Sequence, residues 1–333
     1  MKNKVCKYPF QYVEIHPSGN IACCCSSFTD DYFFGNIFKN SFDEIWNGKK
    51  AKKFRKDIIE KKYSYCHLDM CSGIDTEQYI DIKEVNEDAP YPKIVNFSVD
   101  ETCNVRCVMC RDTKRCPSPT KRKKLMEMID TTFIPMLKNA ELLQLNGEGE
   151  IFASSICKEF IKKSSEIYPN LKYEIITNGQ LCNQKNLEEL NITDKIERIT
   201  ISIHASSKET YEKIVRDGKY ETVMQNIEFL NKLHKSGKIE DFSLAYVISS
   251  MNYKDLPNFI KLINKLEISG QLREFMDWGD SSIMCQNFDK YNIVSKNHPE
   301  HNDFVQLLND PIFNSQFCFM NDVIRNVQRE YKK

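Results

Sequence analysis

The segment Lys93-Ile94-Val95-Asn96-Phe97-Ser98-Val99, followed at once by Cys103, Cys107 and Cys110, constrains this chain more than any other stretch. The run is apolar and β-branched, with Pro90 and Pro92 ahead of it, and reads as a buried strand. The loop that leaves it carries three cysteines in the spacing Cx3Cx2C, which gathers three thiolates around one centre. Strand ends of this kind are where α/β folds place their chemistry. A four-iron cluster normally takes four cysteines, so a triplet leaves one iron open to something that is not protein. Structural zinc is the competing reading, and Cys116 could supply the fourth ligand that zinc requires.

The rest of the chain fits an ordinary globular protein. Its 333 residues, 41% hydrophobic, suffice for one large domain and a small one. Lys plus Arg and Asp plus Glu both total 47, so net charge gives no argument for nucleic acid or an acidic membrane as partner. The basic run Lys121-Arg122-Lys123-Lys124 opens a helical pattern and reads as a solvated face. No apolar stretch resembles a signal peptide or spans a bilayer, so a cytoplasmic protein without a membrane partner is expected. Fourteen cysteines in that compartment favour metal ligation over disulfides. Isolated ones such as Cys157 and Cys182 read as small buried residues.

From residue 94 the chain repeats a strand and a helix about six times, which suggests a partial parallel barrel. Strands are expected at Ile94 to Val99, Leu142 to Leu145, Tyr173 to Ile176, Arg198 to Ile203, Phe242 to Ile248 and Leu272 to Met276. Helical patterns such as Tyr220 to Leu233 and Leu256 to Leu266 lie between them. Strand, Cx3Cx2C loop and repeating units together resemble the radical S-adenosylmethionine (SAM) enzymes. The fold so implied is α/β, a partial (β/α)6 TIM-like barrel over residues 91–278. The resemblance implies that Cys103, Cys107 and Cys110 hold a 4Fe–4S cluster whose open iron chelates SAM. One electron, from a flavodoxin or ferredoxin-type reductant, then yields methionine and a 5'-deoxyadenosyl radical that takes hydrogen from substrate. Met109 stands where the family usually has an aromatic residue, and its adaptable apolar chain can pack against adenine.

The strand ends carry further marks of the same resemblance. Asn146-Gly147-Glu148-Gly149-Glu150 is similar to the glycine-glutamate element that meets the methionyl amino group, with Ile151 in place of a frequent proline. Thr177-Asn178-Gly179 ends the third strand, and Ser202 ends the fourth, before His204 where aspartate is common. Arg216 resembles the arginine that pairs with the methionyl carboxylate, a task for a two-pronged donor. Asn252 falls where a polar residue often meets adenine or ribose. The SAM contacts implied are therefore Gly149, Glu150, Thr177, Asn178, Ser202, Arg216 and Asn252. Singly, each is also an ordinary turn, strand-end or salt-bridge residue.

Residues 1–90 hold a second constellation: Cys6, Gly19 before Cys23-Cys24-Cys25, then Cys66 and Cys71. Tyr12 to Ile15 and Ile21-Ala22 flank a Pro17-Ser18-Gly19-Asn20 turn and read as a β-hairpin. Ser41, with Glu44 three residues on, marks a helix start. The arrangement resembles the small α+β twitch or SPASM element that holds an auxiliary 4Fe–4S cluster, here ahead of the barrel instead of behind it. Its Gly-x4-Cys pattern selects Cys24, with Cys23 and Cys25 as substitutes, and Cys6, Cys66 and Cys71 complete four ligands. His67 is a weaker candidate, and a four-cysteine zinc module is the alternative.

Residues 279–333 read as a helical extension through Phe304, Leu307, Leu308, Val323 and Val327. Cys116, Cys285 and Cys318 are candidate hydrogen-atom donors, although isolated thiols are usually structural. Two clusters imply two tasks, radical generation and electron acceptance, hence two-electron oxidation of substrate. With no leader-binding pattern ahead of Cys6, a small molecule such as a sugar or secondary metabolite is expected. Maturation of a precursor peptide by crosslinking, oxidation or epimerisation is the alternative. A non-catalytic iron–sulfur or zinc protein is the alternative of another class.

Overall fold

The computed structural model describes residues 3–29, 31–68, 71, 78–277 and 282–330. The chain divides by compactness into two units, one of residues 1–102, 116–174 and 190–195, the other of 103–115, 175–189 and 196–333. These limits do not follow the expected boundaries at 90 and 278, and the second of those lies outside the described residues.

In the first unit β1 (Lys4–Cys6) is followed by the hairpin of β2 (Tyr12–Ile15) and β3 (Asn20–Ala22), then β4 (Gly35–Asn36) and β5 (Tyr79–Asp81), which pairs with β1. The expected hairpin forms, but it is no separate sheet. Its strand β2 lies parallel to β6 (Ile94–Phe97), Glu14 opposite Asn96, and β6 in turn lies parallel to β7 (Leu142–Leu145), Asn96 opposite Gln144. Alternation sorts the two faces. Val95 and Phe97 point into an apolar layer in which Phe97 meets Phe133 and Phe160, with ring centroids 5.0 and 4.1 Å away.

Two helices cover the hairpin, α1 (Phe42–Trp46) and α2 (Lys49–Ile59). Ser41 caps α1 in a complete capping box with Glu44, as the sequence leads one to expect. Ser41→Ala should lower stability by about 1 kcal/mol, read as a fall in Tm. Arg55 of α2 is fully buried, donating Nε to Pro9 O at 2.8 Å and Nη1 to Asn47 Oδ1 at 2.8 Å, with its guanidinium 4.3 Å from the Trp46 ring centroid. Helix α2 is thus tied to the end of α1 and to the segment just before β2 by a buried cation whose charge is spread over carbonyl and π acceptors.

Strand β8 (Lys172–Thr177) gives its first half to the first unit and its second half to the other. The second unit continues in chain order through β9 (Ile196–Ser202), β10 (Asp241–Ile248) and β11 (Ser269–Glu274), all parallel where their register is defined. The amphipathic helices α3 (Tyr220–Lys235) and α4 (Leu256–Leu266) alternate with them. This succession is the α/β pattern of a partial (β/α)6 TIM-like barrel. The residues after 282 do more than form helices, because β12 (Cys318–Met320) adds a parallel strand beside β11. Phe304 and Val327 are buried there, whereas Val323, expected in the packing, is exposed. No described helix is long and apolar enough to cross a membrane.

Candidate cluster sites

Four expected ligands meet in the first unit. Cys6 ends β1, Cys24 follows β3, and Cys66 and Cys71 follow α2; all four line one cavity of about 330 Å³ together with Cys25, Tyr8 and Phe28. Cys23 does not line it and is buried. Burial pushes the Cys6 and Cys66 thiols up to about 12, and the neighbouring cysteines of the set push the same way. Cys24 is raised further by its hydrogen bond to Cys23 and by burial. Thiols that resist ionisation because they are dry and crowded together gain most from a cationic centre, which stabilises every thiolate at once. Among the described residues no three His, Cys, Asp or Glu side chains are placed to share a single metal ion. The four thiols instead surround a space, a donor set suited to an iron–sulfur cluster.

The same unit holds the glycine-glutamate segment. A Cβ on Gly149 would lie 2.4 Å from Asp100 O and 2.8 Å from Thr102 O, so only glycine lets this turn pass the loop after β6. Glu150 is buried, and its N–H donates to Thr102 O at 2.7 Å.

The second unit builds the triplet. Cys107 pairs with Val215 in a short antiparallel ladder, and Val108 N–H donates to Ile214 O at 2.9 Å. Burial, then Cys110 and Cys103, raises the Cys107 thiol. Arg111 Nε donates to Cys110 Sγ at 3.3 Å, and Asn178 Nδ2 reaches Asn104 Oδ1 at 2.9 Å and Cys103 Sγ at 3.8 Å. Arg216 holds the loop itself, donating to Arg106 O and Arg111 O, each at 3.0 Å, and to Asp112 Oδ1 at 3.2 Å. Thr177 Oγ1 accepts from Gly179 N–H at 3.1 Å and closes a turn, and Ser202 ends β9 opposite Ala245.

Asn252 closes a turn in the second unit. It is buried, with Nδ2 donating to His204 O and Val247 O and Oδ1 accepting from Ser249 N–H and Oγ–H, so the turn takes all four of its hydrogen-bonding positions. Burial lowers His204 to about 4, leaving a neutral imidazole whose Nδ1 accepts from Val247 N–H. Cys116 is exposed, Cys318 lies on β12, and Cys285 is buried just after Met284, whose N–H donates to Val108 O at 3.2 Å.

Sequence reasoning missed Arg111, which no spacing rule marks. It also missed a polar row inside the first unit. Asn96 Nδ2 donates to Tyr12 Oη at 3.1 Å, Tyr12 Oη–H donates to Glu14 Oε2 at 3.4 Å, and Gln144 Nε2 donates to Glu174 Oε2 at 3.1 Å. Burial pushes the Glu14 carboxyl up to about 7. The alternation Tyr12-x-Glu14-x-His16 within an otherwise apolar strand was the available signal.

Barrel order, triplet and four-thiol cavity are the features that the resemblance to radical SAM enzymes with an auxiliary iron–sulfur domain leads one to expect. Residues 6–72 match the SPASM family, described as an iron-sulfur cluster-binding domain, a span that runs from the first expected auxiliary ligand to just past the last. The chain is 25% identical over 195 residues to GTP 3',8-cyclase of Lactiplantibacillus plantarum, covering 56% of this chain and 55% of that protein. It is 26% identical to the cyclase of Limosilactobacillus fermentum over the same length. The chain thus spans about half the length of the curated relatives it matches. Streptococcus suis SuiB bound to S-adenosylmethionine aligns with TM-score 0.46 and 14% identity over 83% of this chain and 63% of SuiB.

Proposed function

We propose that this chain is a radical SAM oxidoreductase that removes a hydrogen atom from a small molecule and passes the remaining electron to its auxiliary centre. Cys103, Cys107 and Cys110 would hold the SAM-binding 4Fe–4S cluster, and Cys6, Cys24, Cys66 and Cys71 the second one. When bound, the first cluster and SAM supply the reducing electron and the 5'-deoxyadenosyl radical. The protein's part is placement. Arg111 donates to the Cys110 sulfur and holds that side chain in place. Arg216 ties three points of the triplet loop to one rigid fork. Asn178 fixes Asn104 between the first two cysteines. In the first unit, four thiols facing one cavity supply a complete ligand set, so substrate need not ligate that centre; this observation carries the electron-acceptor reading.

The test is anaerobic reconstitution, reduction by dithionite in place of a flavodoxin- or ferredoxin-type donor, and chromatography for 5'-deoxyadenosine. Its formation from SAM is expected. Iron approaching about eight atoms per chain with no SAM cleavage would refute the enzyme and leave an electron carrier.

A further inference from the structure

We propose that Glu14, Asn96 and Asn146 form the substrate-recognition floor of the first unit, shaped for a protonated amine flanked by further N–H or O–H donors. The proposal rests on the radical SAM reading for what happens to that molecule, and on the structure for where it binds.

Glu14 and Asn96 are register partners on adjacent parallel strands, and Asn96 is the register partner of Gln144, so the three side chains share one sheet face. Asn146 follows two residues after Gln144. The opposite face carries Val13, Ile15, Val95 and Phe97, all buried in the apolar layer. A strand set that packs one face with hydrocarbon and lines the other with amides and a carboxylate is built to meet a polar ligand.

The hydrogen bonds say which kind. On this face Asn96 Nδ2 donates to Tyr12, Tyr12 Oη–H to Glu14, and Gln144 Nε2 to Glu174. Two of the buried atoms left without a partner are amide oxygens, which accept. Asn96 is 7% exposed and its Oδ1 is buried without a hydrogen-bond partner, as is Asn146 Oδ1. Leaving a buried amide oxygen without a donor is unfavourable, and a bound ligand can remove that penalty.

Glu14, with its side chain 17% exposed, accepts from Tyr12, lies 3.7 Å from His16 Nε2 and feels the like charge of Glu148. Burial lowers the His16 pKa, so it is a poor cation. Among the described residues neither Lys nor Arg acts on this carboxylate. A ligand that brings a positive charge and additional donors would satisfy all three acceptors. Tyr12 and Gln144 also line the four-thiol cavity, so the floor adjoins the auxiliary centre within the same unit.

The experiment is calorimetric titration of the anaerobically reconstituted holoprotein with glucosamine, with N-acetyl-lysine methylamide and with glucuronate. At least one amine should bind and glucuronate should not, and which amine binds separates an amino sugar from a peptide amine. Glu14→Gln keeps the shape and should weaken amine binding at least about tenfold, the loss of one charge-assisted contact. Asn96→Asp adds a carboxylate and should tighten it, and this second variant decides the matter if Glu14→Gln loses its iron. Failure of both amines, equal binding of glucuronate, or unchanged affinity in the variants would overturn the proposal. Formation of 5'-deoxyadenosine by the unsubstituted protein in the same preparation reports separately on the radical SAM reading: cleavage without amine binding sinks this inference alone.

Discussion

Replacing Cys103, Cys107 and Cys110 together by alanine should reduce SAM cleavage to the background of free iron and dithionite, while about four irons remain bound. The reason is structural separation of the two ligand sets. The triplet lies in the second unit, on a loop held by the Cys107–Val215 ladder and by Arg216, whereas Cys6, Cys24, Cys66 and Cys71 line a cavity belonging wholly to the first. Alanine removes three sulfurs without disturbing the backbone bond from Val108 to Ile214 or the bond from the Arg216 side chain to Arg106 O. The loop should therefore keep its course but bind no cluster. Iron analysis and 5'-deoxyadenosine chromatography on one preparation check both halves. Continued cleavage by the triple variant would remove the assignment.

Cys24→Ala should have the complementary outcome. Of the three consecutive cysteines Cys24 and Cys25 line the cavity with Cys6, Cys66 and Cys71, while Cys23 is buried apart from it, and Cys24 is the one that the Gly-x4-Cys pattern selects. Loss of this ligand should lower the iron content by about four per chain, spare 5'-deoxyadenosine formation and stop substrate oxidation, because the substrate radical would lose its electron acceptor. Normal product yield with the lower iron content would reduce the auxiliary centre to a structural role. Iron retained in full would point to Cys25 as a substitute, a swap the double variant Cys24→Ala with Cys25→Ala resolves.

What the sequence made legible was local. The strand at Leu142 to Leu145 and the helix at Leu256 to Leu266 were readable to the residue, since both are uniform in pattern and bounded by turn or capping signals. The sixth strand was read at Leu272 to Met276 but runs Ser269–Glu274. Gly270 misled the reading: it lies within the strand because a Cβ there would come 2.6 Å from Ile263 of α4, a packing reason that no propensity records. The pairing of β2 with β6 was equally hidden. Its partners are far apart in sequence, and nothing in Tyr12 to Ile15 says that its neighbour is a barrel strand instead of a second hairpin strand.

At the sites, the cysteine sets were marked by spacing and resemblance, whereas the hydrogen-bond partners of their neighbours were not. Arg216 was marked by resemblance as a carboxylate partner, and its guanidinium grips backbone carbonyls of the triplet loop. Asn252 was marked for the nucleoside, and its amide closes a turn. Both are long or bifunctional polar groups whose partners depend on where loops from distant strands arrive. Glu14 and Asn96 went unmarked because a polar residue within a strand usually faces water; the opposing faces of β2 and β6 become distinct only once the sheet is assembled.

The proposed enzyme holds two 4Fe–4S clusters in one chain, one open to SAM and one closed by four cysteines. Electron paramagnetic resonance of the dithionite-reduced holoprotein, recorded with and without SAM, tests it most directly. Two overlapping cluster signals are predicted, of which one shifts on adding SAM and the other does not. In the Cys103, Cys107 and Cys110 variant only the unresponsive signal should remain. A single signal in the unsubstituted protein at full iron loading, or two signals that both ignore SAM, would contradict the account.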